Sequence, residues 1–213
     1  MGVTYYVPGA GLQDTADAAA VDTTGAAPTT EQEAAAVSDV AVVGEYTVDG
    51  PSSKFIVLSV QNNLAETVDI TASAVGYGAD GSVVGTVYDL TSYAVGPGCV
   101  SYIYYMNIDT EGLDVASYTT EISYSSSRHQ SVIQNLSYAV TQDSKGVDIQ
   151  LTNVGTVTAE YVSGCLLTFK DGALIGINPV WFDDVEPGET MTKDVRIYHD
   201  FDSTLFFVRG MAD

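Results

Sequence analysis

Residues 147–153 read Val-Asp-Ile-Gln-Leu-Thr-Asn, an alternation of apolar and polar side chains that ends at Asn153. Residues 56–62 read Ile-Val-Leu-Ser-Val-Gln-Asn and end in the same way at Asn62. A period of two predicts a β-strand with one face buried and the other in water. Because no helical spacing is sustained anywhere in residues 40–213, the sequence predicts an all-β body.

The two asparagines open a series of turn signals that occurs twice. The matching pairs are Asn62 and Asn153, Asp80-Gly81 and Asp171-Gly172, Gly85 and Gly176, and Pro97-Gly98 and Pro187-Gly188. Asp-Gly between alternating strands is a hairpin signal, since the tight turn needs a positive φ that glycine tolerates. The repeat predicts two tandem immunoglobulin-like β-sandwich domains, residues 40–127 and 128–213. Their final strands are expected near Tyr118–Tyr124 and Thr204–Arg209, and the short polar run 125–130 between them places the domains close together.

Residues 1–39 differ in composition from the rest. They are rich in Ala, Thr and Asp, contain no basic residue, and bury too little apolar surface to offset a chain entropy of roughly 1–2 kcal/mol per residue. We therefore expect a disordered acidic tether. Residues 3–7 within it are strand-like, and a frayed end is favoured there over pairing with a sheet edge.

The charge balance excludes several classes of partner. Among 213 residues, 28 are acidic and 7 basic, a formal net charge of −21. Non-specific nucleic-acid binding and docking on anionic lipid both need clustered Lys and Arg. No 18-residue apolar run is present, so no membrane-spanning segment is predicted. We expect a monomer without a cofactor.

The repeat unit resembles the FxLYD domain family of bacterial extracytoplasmic lipoproteins and secreted proteins. The first copy carries Val60-Gln61-Asn62-Asn63, Tyr77-Gly78-Ala79-Asp80-Gly81 and Gly96-Pro97-Gly98; the second carries Leu151-Thr152-Asn153, Thr168-Phe169-Lys170-Asp171-Gly172 and Glu186-Pro187-Gly188-Glu189. The name-giving Leu-Tyr-Asp is altered: Gly78 stands at its Asp in the first copy, and Thr168 and Phe169 replace its Tyr and Asp in the second.

This resemblance implies an immunoglobulin-like β-sandwich and a location in the cell envelope, either secreted or anchored to the surface by a lipid that would precede residue 1. It brings no catalytic residues. The expected function is a non-catalytic interaction or structural module that binds an envelope protein or glycan. The alternative is a carbohydrate or cell-wall binding module that uses exposed aromatic side chains, and a hydrolase with a site between the domains is least favoured.

Three aromatic residues are the candidate binding residues: Trp181, Phe182 and Tyr198. Trp181 is the single tryptophan and lies beside Phe182 in an alternating segment, so one of the two should face inward and the other outward. Exposed aromatic rings can stack on sugars or anchor a protein partner, although core or edge packing is the favoured role. Tyr102 and Tyr104 flank Ile103, and their outward-facing members should form a sticky surface.

The remaining reactive side chains do not form a recognisable catalytic or metal site. Cys99 and Cys165 have no ligand-spaced neighbours, and a role as apolar core residues is favoured over a disulfide between them. His129 and His199 are the only histidines, and no G-x-S-x-G elbow accompanies them. The acidic runs, such as Asp183-Asp184-Val185-Glu186, lack the spacing of a calcium loop, so a solvated surface is expected there.

Overall fold

The structure is a computed structural model that describes residues 3–6, 38–50, 53–109, 114–143 and 146–213. Most of the expected tether therefore lies outside the described residues. Within the described part the protein is built almost entirely of antiparallel strands and contains no α-helix, which confirms the all-β prediction. One 3-10 turn, Ile133–Asn135, occurs in the middle of the chain.

The described residues form fourteen strands. They are β1 (Val3–Tyr6), β2 (Val40–Gly50), β3 (Ser53–Asn62), β4 (Val68–Tyr77), β5 (Val83–Val95), β6 (Val100–Asp109), β7 (Ser117–Ser126), β8 (Gln130–Ser131), β9 (Leu136–Gln142), β10 (Gly146–Asn153), β11 (Ala159–Lys170), β12 (Ala173–Val185), β13 (Thr190–Arg196) and β14 (Ser203–Ala212). We call residues 38–126 the first half and residues 130–213 the second half. The last strand of each half, β7 and β14, includes the segment expected from the repeat.

Both halves have the same strand order. In the first half the two sheets are β2-β3-β6 and β5-β4-β7, and in the second half the corresponding sheets are β9-β10-β13 and β12-β11-β14. The second half has two additions, because β1 pairs with β9 and β8 pairs with β14. The expectation of a frayed end at Val3–Tyr6 was therefore wrong, since the uncharged edge of β9 offers that segment a pairing partner.

The repeated asparagines are buried and bonded alike. The Asn62 side-chain amide donates to the carbonyls of Glu66 and Val95 at 2.7 and 2.8 Å, and its oxygen accepts from the N–H of Leu64. Asn153 repeats this arrangement: its amide donates to the carbonyls of Val157 and Val185, and its oxygen accepts from the N–H of Gly155. The repeated turn signal is thus a buried cross-link between a strand end, the loop that follows it and the last residue of a strand in the facing sheet.

Among the described residues, three hydrophobic cores hold the four sheets together. One lies between the two sheets of the first half, around Ile56, Leu58 and Ile70, and another between the two sheets of the second half, around Ile149, Leu166 and Phe182. A third, which we call the inter-half core, joins the outer faces of β2-β3-β6 and β12-β11-β14. Its members are Val57, Tyr102, Cys165 and Leu167, with Tyr46, Tyr104, Phe169, Leu174, Ile177, Leu205 and Phe207 packed against them.

The inter-half core buries a face of β3 that the sequence predicted to be wet, and it also covers β11. Val57 and Ser59, assigned by alternation to the wet face of β3, are buried because the second half covers them. In β11, all residues from Val162 to Thr168 are buried, as expected for a strand covered on both faces. By contrast, β10 keeps the predicted alternation, with Ile149 and Leu151 inward and Asp148 and Gln150 exposed.

Candidate functional site

The structure separates the three candidate aromatic residues. Trp181 is 57% exposed and Tyr198 is 91% exposed, whereas Phe182 is fully buried. The alternation of β12 causes the split between Trp181 and Phe182, as predicted. Phe182 packs edge-on against Phe206 in the core of the second half, with ring centroids 6.5 Å apart. It is therefore removed from the candidate binding surface, because no ligand reaches it from solvent.

Trp181 lies at the rim of the contact between the halves. It is paired with Ser163 on the neighbouring strand β11, so both side chains stand on the same face of the sheet. That face meets the first half, since the Ser163 hydroxyl is hydrogen-bonded at 3.1 Å to the hydroxyl of Tyr102. Because β12 is the outer strand of its sheet, the Trp181 ring remains open to solvent beside this contact.

A polar cluster centred on Ser163 lies at the same contact. Arg209 donates through Nε to the Ser163 hydroxyl at 3.1 Å and through Nη1 to the carbonyl of Thr91 at 3.3 Å. Its guanidinium also lies 5.0 Å from the centre of the Tyr102 ring, a cation–π arrangement. Burial raises the pKa of Tyr102 to about 12, and the Arg209 charge opposes this shift only in part. The hydroxyls of Ser163 and Tyr102 and the guanidinium of Arg209 thus have polar or aromatic partners within an otherwise apolar interface.

The tyrosines of β6, which the sequence predicted to form a sticky exposed surface, are covered by the second half. Tyr102 is buried and its ring lies 6.3 Å from that of Phe207 of the second half, and Tyr104 packs against the same core. The strand face does point away from the core of the first half, as the alternation predicted. It is covered because the second half packs against it, so these tyrosines join the two halves and do not form an exposed binding surface.

The two histidines lie in separate places with one polar partner each. His199 Nε2 lies 3.3 Å from the Thr168 hydroxyl, which is buried, and His129 Nδ1 lies 3.0 Å from a carboxylate oxygen of Asp213. Within the described residues, neither histidine is hydrogen-bonded to both a hydroxyl group and a carboxylate. His199 therefore makes a packing contact with a buried hydroxyl, and His129 makes a surface contact with a carboxylate.

Both cysteines are free thiols. Cys165 is buried in the inter-half core, and desolvation raises its pKa to about 12. Cys99 is partly buried beside the core of the first half, and burial raises the pKa of its thiol as well. The favoured interpretation of two apolar packing residues is confirmed for Cys165, and Cys99 occupies the edge of a core.

The acidic side chains are not gathered into a metal site in the part of the chain that the structure describes. In the run 183–186, Asp184 accepts a hydrogen bond from the N–H of Tyr161, and the Glu186 carboxylate accepts one from the Thr158 hydroxyl.

Sequence reasoning missed a groove of about 520 Å³ at the end of β9, β10 and β13, lined by Asp143, Asp148, Asp194 and Arg196 among others. Asp148 and Asp194 are directly opposed across two strands, a pairing that alternation alone does not reveal.

Comparison with known proteins gives no functional assignment. No family model matches the chain, and no curated protein matches it. Among solved structures, the chain is similar to the crystal structure of a red sea bream transglutaminase, with 10% identity and a TM-score of 0.21 over 81% of this chain. The chain spans about a quarter (27%) of the length of that transglutaminase. No helix in the described residues has the length and apolar character needed to cross a membrane.

Proposed function

We propose that this chain is a non-catalytic interaction or structural module displayed outside the cytoplasmic membrane of a bacterium. In this proposal each half is an immunoglobulin-like β-sandwich domain of the kind implied by the FxLYD resemblance. The observation that carries the proposal is the inter-half core, in which Tyr102, Leu167 and Phe207 fix two sandwich units into one body. A rigid pair of sandwiches is suited to holding a surface at a defined distance and orientation, as interaction modules do.

The partner in this proposal is an envelope protein or glycan bound at the rim around Trp181. Trp181 is the largest exposed aromatic side chain of the described residues, and its backbone is fixed by a sheet rather than by a loop. Aromatic side chains of this kind contribute strongly to binding because they bury a large area at a small cost in side-chain entropy. The net charge of −21 favours a basic or uncharged partner over an acidic one.

A capture experiment tests this function. The full chain would be immobilised and exposed to solubilised bacterial envelope, beside a heat-unfolded sample and a Trp181→Ala variant. We expect a component retained by the folded chain and lost with Trp181→Ala. The matched control is Tyr88→Ala, which removes an exposed ring on β5 of the first half. Equal retention by the folded and unfolded samples would contradict the proposal.

The exposure of Trp181 also favours the second candidate, a carbohydrate or cell-wall binding module. Because Trp181 is the single tryptophan, the tryptophan fluorescence of the chain comes from this site alone. A titration with cell-wall glycan fragments should change the emission if a sugar ring stacks on the indole. Tyr88→Ala should leave that titration unchanged, and a flat titration with a positive capture experiment would favour a protein partner.

A further inference from the structure

The strand β1 completes a sheet edge in the second half that would otherwise be open. Its four residues pair antiparallel with β9, Val3 opposite Thr141 and Tyr6 opposite Tyr138. On its other side β9 pairs with β10, so β1 occupies the outermost position of the sheet. The next described strand along the chain, β2, belongs to the first half and begins at Val40. An edge strand and its acceptor are therefore separated by a long stretch of sequence.

The repeat supplies an internal comparison for this edge. In the strand order, β2 occupies the same position in the first half that β9 occupies in the second half. No described strand, however, pairs with the outer edge of β2. β2 has a bulge between Val42 and Gly44 and carries the carboxylates of Glu45 and Asp49. β9 has no charged residue and pairs with β10 without a register shift. Charges and bulges are the features that protect an edge from pairing, and β9 has neither.

We propose that β9 is a strand-acceptor site and that it accepts β1 of a second copy of this chain. Pairing at a sheet edge is made by main-chain hydrogen bonds, so its geometry is the same whether the strand comes from the same chain or from another. Reciprocal exchange of β1 between two chains gives a closed dimer with twofold symmetry. This inference does not depend on the proposed function, because it concerns a different sheet from the one that carries Trp181.

The protein concentration at which β1 should exchange between chains depends on the length of chain that connects β1 to β2. Residues 7–39 can span at most roughly 120 Å when fully extended, which permits pairing both within a chain and between chains. A covalent connection of this length gives an effective concentration in the millimolar range at most. We therefore expect closed monomers in dilute solution, in agreement with the sequence prediction, and exchanged dimers when the chain is crowded, as on a surface.

A disulfide trap tests the exchange directly. Two full-length single-cysteine chains would be made in a Cys99→Ser, Cys165→Ala background, one with Tyr5→Cys and one with Ala139→Cys, since these positions are opposed in the ladder. The two chains would be mixed under mild oxidation at increasing concentration and examined on a non-reducing gel. The matched control replaces Ala139→Cys with Thr47→Cys on the equivalent edge β2. We expect the heterodimer to exceed the control by at least about fivefold near 1 mM protein.

A second measurement covers the case in which the cysteine variants fold poorly. The unmodified chain and a Thr4→Pro, Tyr5→Pro variant would be compared by light scattering near 1 mM. Amide groups alternate along an edge strand, so two adjacent prolines remove at least one donor to β9. We expect the dimer to be lost with the prolines and kept with Thr4→Val, Tyr5→Phe. A heterodimer yield equal to the Thr47→Cys control, or a dimer that survives the prolines, would overturn the proposal.

Discussion

The side chains of Val132 and Ile133, adjacent in the sequence, are buried in two different hydrophobic cores. Val132 packs in the core of the second half, and Ile133 packs in the core of the first half, which also contains Leu58 and Ile70. The segment is fixed further by Gln134, whose side-chain amide donates to the carbonyl of Ser131 at 3.2 Å. The connection between the halves is therefore a packed part of the protein.

This anchoring predicts that the two halves unfold together. Ile133→Ala leaves a cavity in the core of the first half and should lower the free energy of unfolding by about 2–4 kcal/mol. Tryptophan fluorescence reports only on Trp181 in the second half, whereas far-UV circular dichroism reports on all strands. We expect urea unfolding to give the same midpoint by both methods, and Ile133→Ala to lower both midpoints equally.

The control for this prediction is Val154→Ala, which shortens an exposed side chain in the second half. It should change the free energy of unfolding by no more than about 0.5 kcal/mol and therefore leave both midpoints nearly unchanged. If the halves were independent, Ile133→Ala would lower the circular dichroism midpoint and leave the fluorescence midpoint of Trp181 in place.

The all-β architecture and many of its turns could be predicted because they depend on local chemistry. Alternation places Ile149 and Leu151 inward, and the Asp-Gly and Pro-Gly pairs form turns in which Gly81, Gly98, Gly172 and Gly188 all have positive φ. The matched asparagines pointed to a repeat, and the strand order is the same in both halves. Each of these features needs only a few neighbouring residues.

The short connection predicted that the domains lie close together, but the faces that meet could not be predicted, because nothing local distinguishes an outer sheet face that meets water from one that meets another sheet. Tyr102 is amphipathic and would suit either environment. The continuous apolar character of Cys165, Leu166 and Leu167 was the available signal, since a strand with apolar residues on both faces must be covered twice. The pairing of Val3–Tyr6 with β9 was missed because four residues carry too little pattern to identify a distant partner.

The buried asparagines provide the second prediction. Asn153→Ala leaves the carbonyls of Val157 and Val185 and the N–H of Gly155 without their side-chain partner. Each buried group left unsatisfied costs about 1–3 kcal/mol, so we expect a loss of roughly 2–4 kcal/mol after partial relaxation, and a similar loss for Asn62→Ala. Urea unfolding measures both values.

The matched control is Asn63→Ala, the next residue after Asn62, which is exposed and whose side-chain amide donates a hydrogen bond to the carbonyl of Ser38. It should cost less than about 1 kcal/mol. Equal effects of Asn62→Ala and Asn63→Ala would show that the repeated asparagine is a turn former and not a buried cross-link.

Tyr102 makes the stability of the protein sensitive to alkaline pH. Burial raises its pKa from 10.0 to about 12, so the folded state holds the phenolic proton at pH values at which the unfolded state releases it. The free energy of unfolding contributed by this group is therefore fully present below pH 10 and falls as the pH rises toward 12. Between pH 9 and pH 11 we expect the contribution to decrease by about 1 kcal/mol.

The measurement is urea unfolding at several pH values for the unmodified chain and Tyr102→Phe. The variant loses the hydrogen bond to Ser163, which lowers its stability by about 1 kcal/mol near neutral pH, but it should show a shallower decline above pH 9. Tyr198→Phe, which changes an exposed tyrosine, should keep the original slope. Parallel slopes for the chain and Tyr102→Phe would contradict the burial of the Tyr102 hydroxyl.

The two thiols should react at different rates. Thiolate is the reactive form, and desolvation raises the pKa of Cys165 to about 12, so almost none is ionised at pH 8. Burial also raises the pKa of the Cys99 thiol, but Cys99 is partly exposed. A thiol reagent should therefore modify Cys99 first, Cys99→Ser should abolish this fast phase, and Cys165 should react only when the protein opens.

Because Cys165 lies in the inter-half core, its slow reaction measures how often the two halves separate. Leu167→Ala weakens the same core by about 2–5 kcal/mol and should increase the rate at Cys165 at least tenfold. Val154→Ala, outside that core, should leave the rate unchanged. If Cys165 reacted as fast as Cys99 in the unmodified chain, the two halves would not be held together by this contact.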